Sequence, residues 1–190
     1  MDIFELSRCR RTIRFFDQRE IPEEALRKLI DVARMCSCGS NMQRLRYLVV
    51  RKKEILEKLF PLTAWAGYVK PRRTPIWGEN SPTAFIAVVS NNGNNEILHA
   101  DSGAAIQSIQ FAAWELGIGC CWIASFDHEK TTELLEIPDD QNILYLIALG
   151  FPAEVPVSEN AVDGNTKYYL DEKDVLHVPK LSVDEITTWL

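Results

Sequence analysis

The sequence predicts an α+β domain, and three observations carry that reading. Residues 83–90 and 143–149 are nearly continuous apolar runs of strand length, the pattern of strands buried on both faces and central in a sheet. Residues 22–35 and 101–116 repeat apolar side chains at helical spacing. Helices and strands do not alternate in the regular βαβ rhythm of a parallel α/β fold. The chain has 190 residues, enough for one real core and few for two. No repeat or composition shift marks a boundary, so 1–190 reads as a single domain.

In chain order, residues 2–8 read as a short helix presenting Ile3, Phe4 and Leu6. A cluster of Arg10, Arg11, Thr12, Ile13 and Arg14 follows, at the helix end or in the turn beyond. Pro22 suits the first position of the second helix, Glu23 and Glu24 complement its dipole, and Leu26, Leu29, Ile30 and Ala33 form its apolar face. The small polar stretch from Cys36 to Gln43 has two open readings. It is a plain helix-to-strand turn, or a loop whose short donors and acceptors read a heteroaromatic edge. Residues 47–50 read as a strand and 53–60 as a short helix. Residues 61–82 combine four prolines, Trp65, Tyr68 and Trp77 with the basic run Lys70-Pro71-Arg72-Arg73. So long a segment with weak periodicity has two readings, a linker whose aromatic side chains pin it to the core, or a substrate-side lid with those side chains exposed for stacking on a flat ligand, and the lid is the one expected here.

A loop from Asn91 to Asn95 is expected to end the strand 83–90. Helix 101–116 is apolar around most of its circumference, which places it centrally or in an oligomer interface. Gly117 and Gly119 break that helix, residues 120–124 are extended, 130–135 form a short helix, and Gly150 ends the strand 143–149. In the tail 151–190, residues 168–170 and 175–178 read as a hairpin. Ser182 caps a final helix over 183–189, with Glu185 at capping-box spacing. Such a tail, with apolar anchors and no long helix, is expected to pack on a partner subunit.

Composition narrows the function classes. The chain is 46% hydrophobic and 25% charged, with a net charge of −6, so the arginines are a local device in an acidic protein and not the field of a nucleic-acid binder. No apolar run approaches the roughly 20 residues that span a bilayer, and the start lacks a leader pattern, so a cytoplasmic location is expected, without membrane or nucleic-acid partners. Five cysteines, Cys9, Cys36, Cys38, Cys120 and Cys121, are odd in number and too tightly spaced for a disulfide framework or a zinc site; they read as small buried thiols, and no metal is expected. Gly-rich nucleotide loops and Gly-x-Ser-x-Gly nucleophile turns are absent from the sequence.

The Arg10–Arg14 stretch has two readings. One is a solvated basic patch. The other is a clamp for a phosphorylated cofactor, since guanidinium groups repel one another unless an anion sits among them and their donor fork suits phosphate.

Four features in order are Arg10-Arg11-Thr12-Ile13-Arg14, Gly39-Ser40-Asn41-Met42-Gln43, Asp101 opening a helix that runs through Gln107 to Ala112-Ala113, and Gly117-Ile118-Gly119-Cys120-Cys121-Trp122-Ile123. Over residues 1 to about 152 this set resembles the FMN-dependent nitroreductase family. The resemblance implies a nitroreductase-like α+β fold with a central, mainly antiparallel sheet flanked by helices. It also implies a homodimer with a domain-swapped C-terminal tail and FMN at the interface. Arg10, Arg11 and Arg14 would contact the flavin phosphate, ribityl chain and pyrimidine edge. Thr12 stands where the family often has Ser. Cys38, Ser40, Asn41 and Gln43 would come from the loop, in part from the partner chain, and Gln107 from the long helix. Cys121, Trp122 and Ile123 would line the flavin with backbone groups, and Lys180, with Lys167 as second choice, would meet the phosphate. Ser37 and Cys38 replace the family's frequent Pro-Ser, and Arg44 and Leu45 its Pro-Trp.

The implied activity is ping-pong hydride transfer from NAD(P)H to a small nitroaromatic, quinone or similar acceptor. No side chain is required as nucleophile or base, and no catalytic residue is assigned. Other flavin chemistry (dehalogenation or reduction of an activated C=C bond), a non-enzymatic flavin-binding protein and an interaction module for acidic partners are the alternatives.

Overall fold

The computed structural model describes residues 1–91 and 95–190. The loop expected around residue 93 falls largely outside the described residues. The ordered elements are α1 (Ile3–Cys9), β1 (Phe16–Asp17), α2 (Glu23–Arg34), β2 (Leu45–Val50), α3 (Lys53–Leu59), β3 (Ala84–Asn91), α4 (Glu96–Glu115), β4 (Gly119–Ile123), α5 (His128–Leu134), β5 (Gln141–Pro152), β6 (Val157–Asn160), β7 (Tyr169–Leu170), β8 (Leu176–Lys180) and α6 (Val183–Ile186).

The main sheet is antiparallel throughout: β2 pairs with β3, β3 with β5, and both β4 and β1 with β5. The two apolar runs are its central pair, with Ala84 opposite Leu149 and Asn91 opposite Gln141. Alternation along β3 sends Phe85, Ala87 and Val89 to one face, where they meet Leu56, Leu59, Trp65, Ile123 and Leu146. Ile86 and Val88 go to the other face, against Leu26, Leu29, Ile106, Ile109 and Ile147 from α2, α4 and β5. Helices thus cover both faces, as the continuous apolar strands require.

Several boundaries move for identifiable reasons. Helix α4 begins five residues before Asp101, because the Asn95 side chain caps it by accepting the Leu98 N–H at 3.1 Å. Pro22 is the cap of α2, not its first residue. Asp127 starts α5 at His128 by accepting the Lys130 N–H at 3.1 Å. Strand β5 runs through Gly150 to Pro152. Gly150 is there to make room: a Cβ on it would fall 2.7 Å from Phe16 Cδ1, and one on Gly119 would fall 2.7 Å from Ile13 Cγ1. The final helix has its capping box but stops at Ile186, where Thr187 is extended.

The segment 61–82 differs from the lid expectation. Trp65 is buried and packs on Phe60 at 6.0 Å, and Trp77 packs on the same ring at 5.7 Å, so both indoles pin the loop to the core. Tyr68 remains outside, 67% exposed. Arg72 and Arg73 bind Asp174 in the tail. The expected hairpin is present as β7 and β8, and β6 joins β8 in parallel to make a second, three-stranded sheet. Through Ser158 Oγ on Arg8 O (3.3 Å) and the Arg72–Asp174 pair, this small sheet packs on its own chain. Cys120 and Cys121 are buried as expected, whereas Cys9 is exposed. Among the described residues no helix is long and apolar enough to cross a membrane.

Candidate cofactor site

Helix α1 stops at Cys9, and Arg10 turns the chain into an extended run that passes beside β4. Ile13 anchors this run. Its side chain is fully buried over Gly119, and its N–H donates to Cys120 O at 3.0 Å. Because Cys120 O points away from β5, strand alternation puts the Trp122 main-chain groups on that same outer edge. Further along, Glu154 accepts the N–H groups of Arg14 (2.5 Å) and Phe15 (3.1 Å). Arg11, 7% exposed, closes the end of α1 by donating Nη2 to Ser7 O (2.7 Å) and Arg8 O (2.9 Å).

The electrostatics of this corner are one-sided. Burial first, then the neighbouring Arg11, lowers the Arg10 pKa, and burial lowers that of Arg11. Lys180, at the end of β8, is lowered by desolvation and then by Arg11 and Arg10, so three cations face one another. Among the described residues no carboxylate forms an ion pair with Arg10, Arg11, Arg14 or Lys180. Arg10 Nε and Nη1, Arg11 Nε and Arg14 Nε are buried without a hydrogen-bond partner among the described residues. Donors left this way cost roughly 1–3 kcal/mol each, more when charged, and an anion that offers several acceptor oxygens is the chemistry that would offset that cost. Of the two tail lysines, both exposed, Lys180 is the one that interacts electrostatically with Arg10 and Arg11; the Lys167 backbone N–H is bound to Asn165.

Burial keeps the β4 thiols protonated: Cys121 is pushed up to about 11, and Cys120 is pushed up as well. With the Cys121 and Ile123 side chains in the core, β4 has backbone to offer, plus the Trp122 indole. Trp122 is partly exposed, lies edge-on to Tyr145 with centroids 5.1 Å apart, and reaches α4 at Gly103.

The polar loop is built differently. A single turn at Gly39–Asn41 leaves Ser40, Asn41 and Gln43 exposed, with φ of 50°, 54° and 50°. Non-glycine residues rarely sit at positive φ, and strained backbone of this kind collects at functional sites. The loop is held to α4: Gly39 N–H donates to Asp101 Oδ1 at 2.9 Å and the Cys36 thiol to Ala104 O at 3.6 Å. Gln43 N–H donates to Cys38 Sγ at 3.4 Å, and Gln43 Nε2 to Asn41 Oδ1 at 3.3 Å. Cys36, Cys38 and Asp101 also face Tyr47, whose hydroxyl burial and these groups push up to about 12.

One chain therefore gathers Arg10, Arg11, Thr12, Arg14, the β4 edge at Trp122, and Lys180; Cys121 and Ile123, expected to offer backbone groups, turn those groups toward β5 and their side chains into the core. The same chain does not bring Cys38, Ser40, Asn41 and Gln43 to the arginine cluster. The loop binds α4 at Asp101, while α1 touches α4 at Glu115 through the Met1 amino group (3.4 Å). Fourteen helical residues separate those points, about 21 Å. Gln107 lies half-buried between them on α4. The acids that organise both halves, Glu154 and Asp101, are absent from the expected site. Asp101 carries a signal, as the sole acid between Glu96 and Glu115 in a mostly apolar helix; Glu154 carries none that is local.

Fold and corner together define a class: an antiparallel α+β domain with a cluster of arginines and a lysine at the edge of its sheet. Comparison with known proteins agrees. The model of the Nitroreductase family matches residues 8–151, and the chain belongs to that family. A relative from Methanothermobacter thermautotrophicus, provisionally named NADH dehydrogenase/NAD(P)H nitroreductase, is 31% identical over 170 residues, 86% of this chain and 84% of that one. The FMN reductase (NADPH) of Bacillus subtilis is 24% identical over 185 residues, 88% of this chain and 74% of that one. Among solved structures, a nitroreductase family protein from Clostridium novyi NT superposes with a TM-score of 0.68 at 27% identity, covering 80% of this chain and 87% of its own. An FMN-dependent nitroreductase from Clostridium difficile, at 22% identity and a TM-score of 0.70 over 89% and 99% of the two chains, shares the fold.

Proposed function

We propose that this protein is an FMN-dependent oxidoreductase that takes hydride from NAD(P)H and reduces a small nitroaromatic, quinone or similar acceptor in ping-pong order. The observation that carries the reading is the set of buried, unpartnered guanidinium donors on Arg10, Arg11 and Arg14 beside Lys180. They fit a ligand with a phosphate at one end and carbonyl oxygens at the other. The names of the relatives, an FMN reductase and an NAD(P)H nitroreductase, support the same cofactors.

FMN, when bound, supplies the two-electron hydride relay between donor and acceptor. In this reading Arg10, Arg11 and Lys180 hold the phosphate and ribityl end, and Thr12 adds a hydroxyl donor. Arg14 brings a positive charge to the pyrimidine edge and favours the negative charge that reduction leaves there. The outer edge of β4 offers the Trp122 main-chain groups. Ser40, Asn41, Gln43 and Cys38 are taken from a second copy of the chain, since among the described residues no hydrogen bond or ion pair links this loop to Arg10, Arg11 or Arg14 of its own chain, and its contacts run to α4 at Asp101 and Ala104. The exposed Ile97, Ala100 and Ala104 along α4 and the exposed C-terminal residues Ile186, Trp189 and Leu190 support a homodimer in which the end of the tail crosses to the partner. Free thiols throughout the described chain suit a reducing compartment and so a cytoplasmic location.

One absorption spectrum tests the reading. Purified protein should show a flavin spectrum, or gain it with added FMN, and NAD(P)H should bleach that spectrum in anaerobic stopped-flow, with an acceptor restoring it. A colourless protein that takes up no FMN refutes the reading; bound FMN that NAD(P)H leaves oxidised reduces it to flavin storage.

A further inference from the structure

The tail meets the 61–82 loop at two places, and both bear on Arg14. At the first, Asp174 binds Arg72 (2.5 Å) and Arg73 (2.7 Å). Arg73 also pairs with Glu154 at 3.1 Å and lies over the Phe15 ring at 4.8 Å. Glu154 in turn accepts the Arg14 N–H, so this network holds the Arg14 backbone. At the second, the Arg14 guanidinium carbon lies 5.2 Å from the centre of the Tyr168 ring. The Tyr168 hydroxyl accepts the Tyr68 N–H at 3.3 Å, and the two tyrosine rings stand 5.0 Å apart.

The kind of contact matters. A carboxylate beside Arg14 would orient it and also occupy its donors. An aromatic face attracts the cation through its quadrupole and accepts no N–H bond in the guanidinium plane. The side chain is therefore steered while its donors stay open, and Arg14 Nε has no partner among the described residues.

We propose that Tyr168 is the positioning residue of Arg14: its ring holds the guanidinium where the open donors meet the pyrimidine edge of the flavin, and Tyr68 fixes that ring. The proposal rests on the flavin reading above. It makes the tail, through one tyrosine, a determinant of how strongly the site favours reduced over oxidised FMN.

The test is the two-electron midpoint potential of the FMN-loaded protein. Tyr168→Leu should weaken the preference for reduced FMN about tenfold, which lowers the midpoint by about 30 mV. Tyr168→Phe keeps the ring, loses only the bond from Tyr68, and should stay near wild type. Arg14→Ala should lower the potential at least as far as Tyr168→Leu, and combining the two should change nothing further, because the tyrosine acts through the arginine. An unchanged potential in Tyr168→Leu overturns the proposal. So does a further fall in the double variant, or a Tyr168→Phe value as low as that of Tyr168→Leu. Wild-type protein that binds no FMN overturns the functional reading and this proposal together, which is a separate result from bound FMN with an unmoved potential.

Discussion

Replacing Glu154 by Ala should be among the most damaging single changes outside the apolar core. Its side chain and that of Arg73 are each 6% exposed and 3.1 Å apart, and the other carboxylate oxygen takes the N–H groups of Arg14 and Phe15. Removing one member of a buried ion pair costs about 3–5 kcal/mol, chiefly because the other charge is stranded. Arg73 keeps Asp174, which puts the loss at the low end, about 3 kcal/mol. For a chain of 190 residues that corresponds to a fall in Tm of about 6–12 °C. The assay is thermal and urea unfolding at one fixed chain concentration, since assembly would make Tm concentration-dependent. A control sharpens it: Arg73→Met with Glu154→Leu should cost less than the two single changes added together, because no charge is left alone. A Tm within about 2 °C of wild type for Glu154→Ala refutes the network as a structural element.

Three further outcomes follow from the geometry. Lys180→Met should weaken FMN binding about 10- to 100-fold, the size of one charge-assisted bond, and leave riboflavin, which lacks the phosphate, near wild type in fluorescence titration; an equal loss for both ligands would move the phosphate elsewhere. Gly150→Ala should cost about 1–3 kcal/mol in urea melts, since its Cβ would sit 2.7–2.9 Å from three Phe16 atoms with no flexible end to yield. His177 is held by Glu159 (2.8 Å) and Asp171 (3.4 Å), and the Glu159 bond leads the rise in its pKa. A folded pKa above the unfolded value of about 6.5 means the stabilisation is complete below that pH and is lost as pH rises through the folded value. An NMR titration of the His177 ring should place its pKa above about 6.5, and a value at or below it refutes the pairing.

Legibility in the sequence followed the range of the interaction. Residues 83–90 and 143–149 declared themselves central because burial on both faces is written in consecutive side chains, and α2 because its apolar face is periodic. The arginine cluster is readable as chemistry, whereas the approach of Lys180 to it depends on β8 carrying its end toward Arg10. For Trp65 and Trp77 the choice between core and lid stays open in the sequence, because an aperiodic segment does not say which way its aromatics turn. The Glu154 contact to Arg14 spans 140 residues, and no local pattern encodes it. The positive φ at Ser40, Asn41 and Gln43 was hidden because these residues are not glycine.

The attachment of the polar loop to α4, with no bond to Arg10, Arg11 or Arg14 among the described residues, bears on genetics. If each cradle takes its arginines from one chain and its polar loop from the other, two differently damaged copies can repair one another. A chain lacking Arg11 and a chain lacking Ser40 and Asn41, co-expressed, would assemble mixed pairs with one cradle wholly intact and the other doubly broken. Half of the binding capacity of such a pair would survive where neither parent retains any, and a site divided in this way would make complementation between alleles possible.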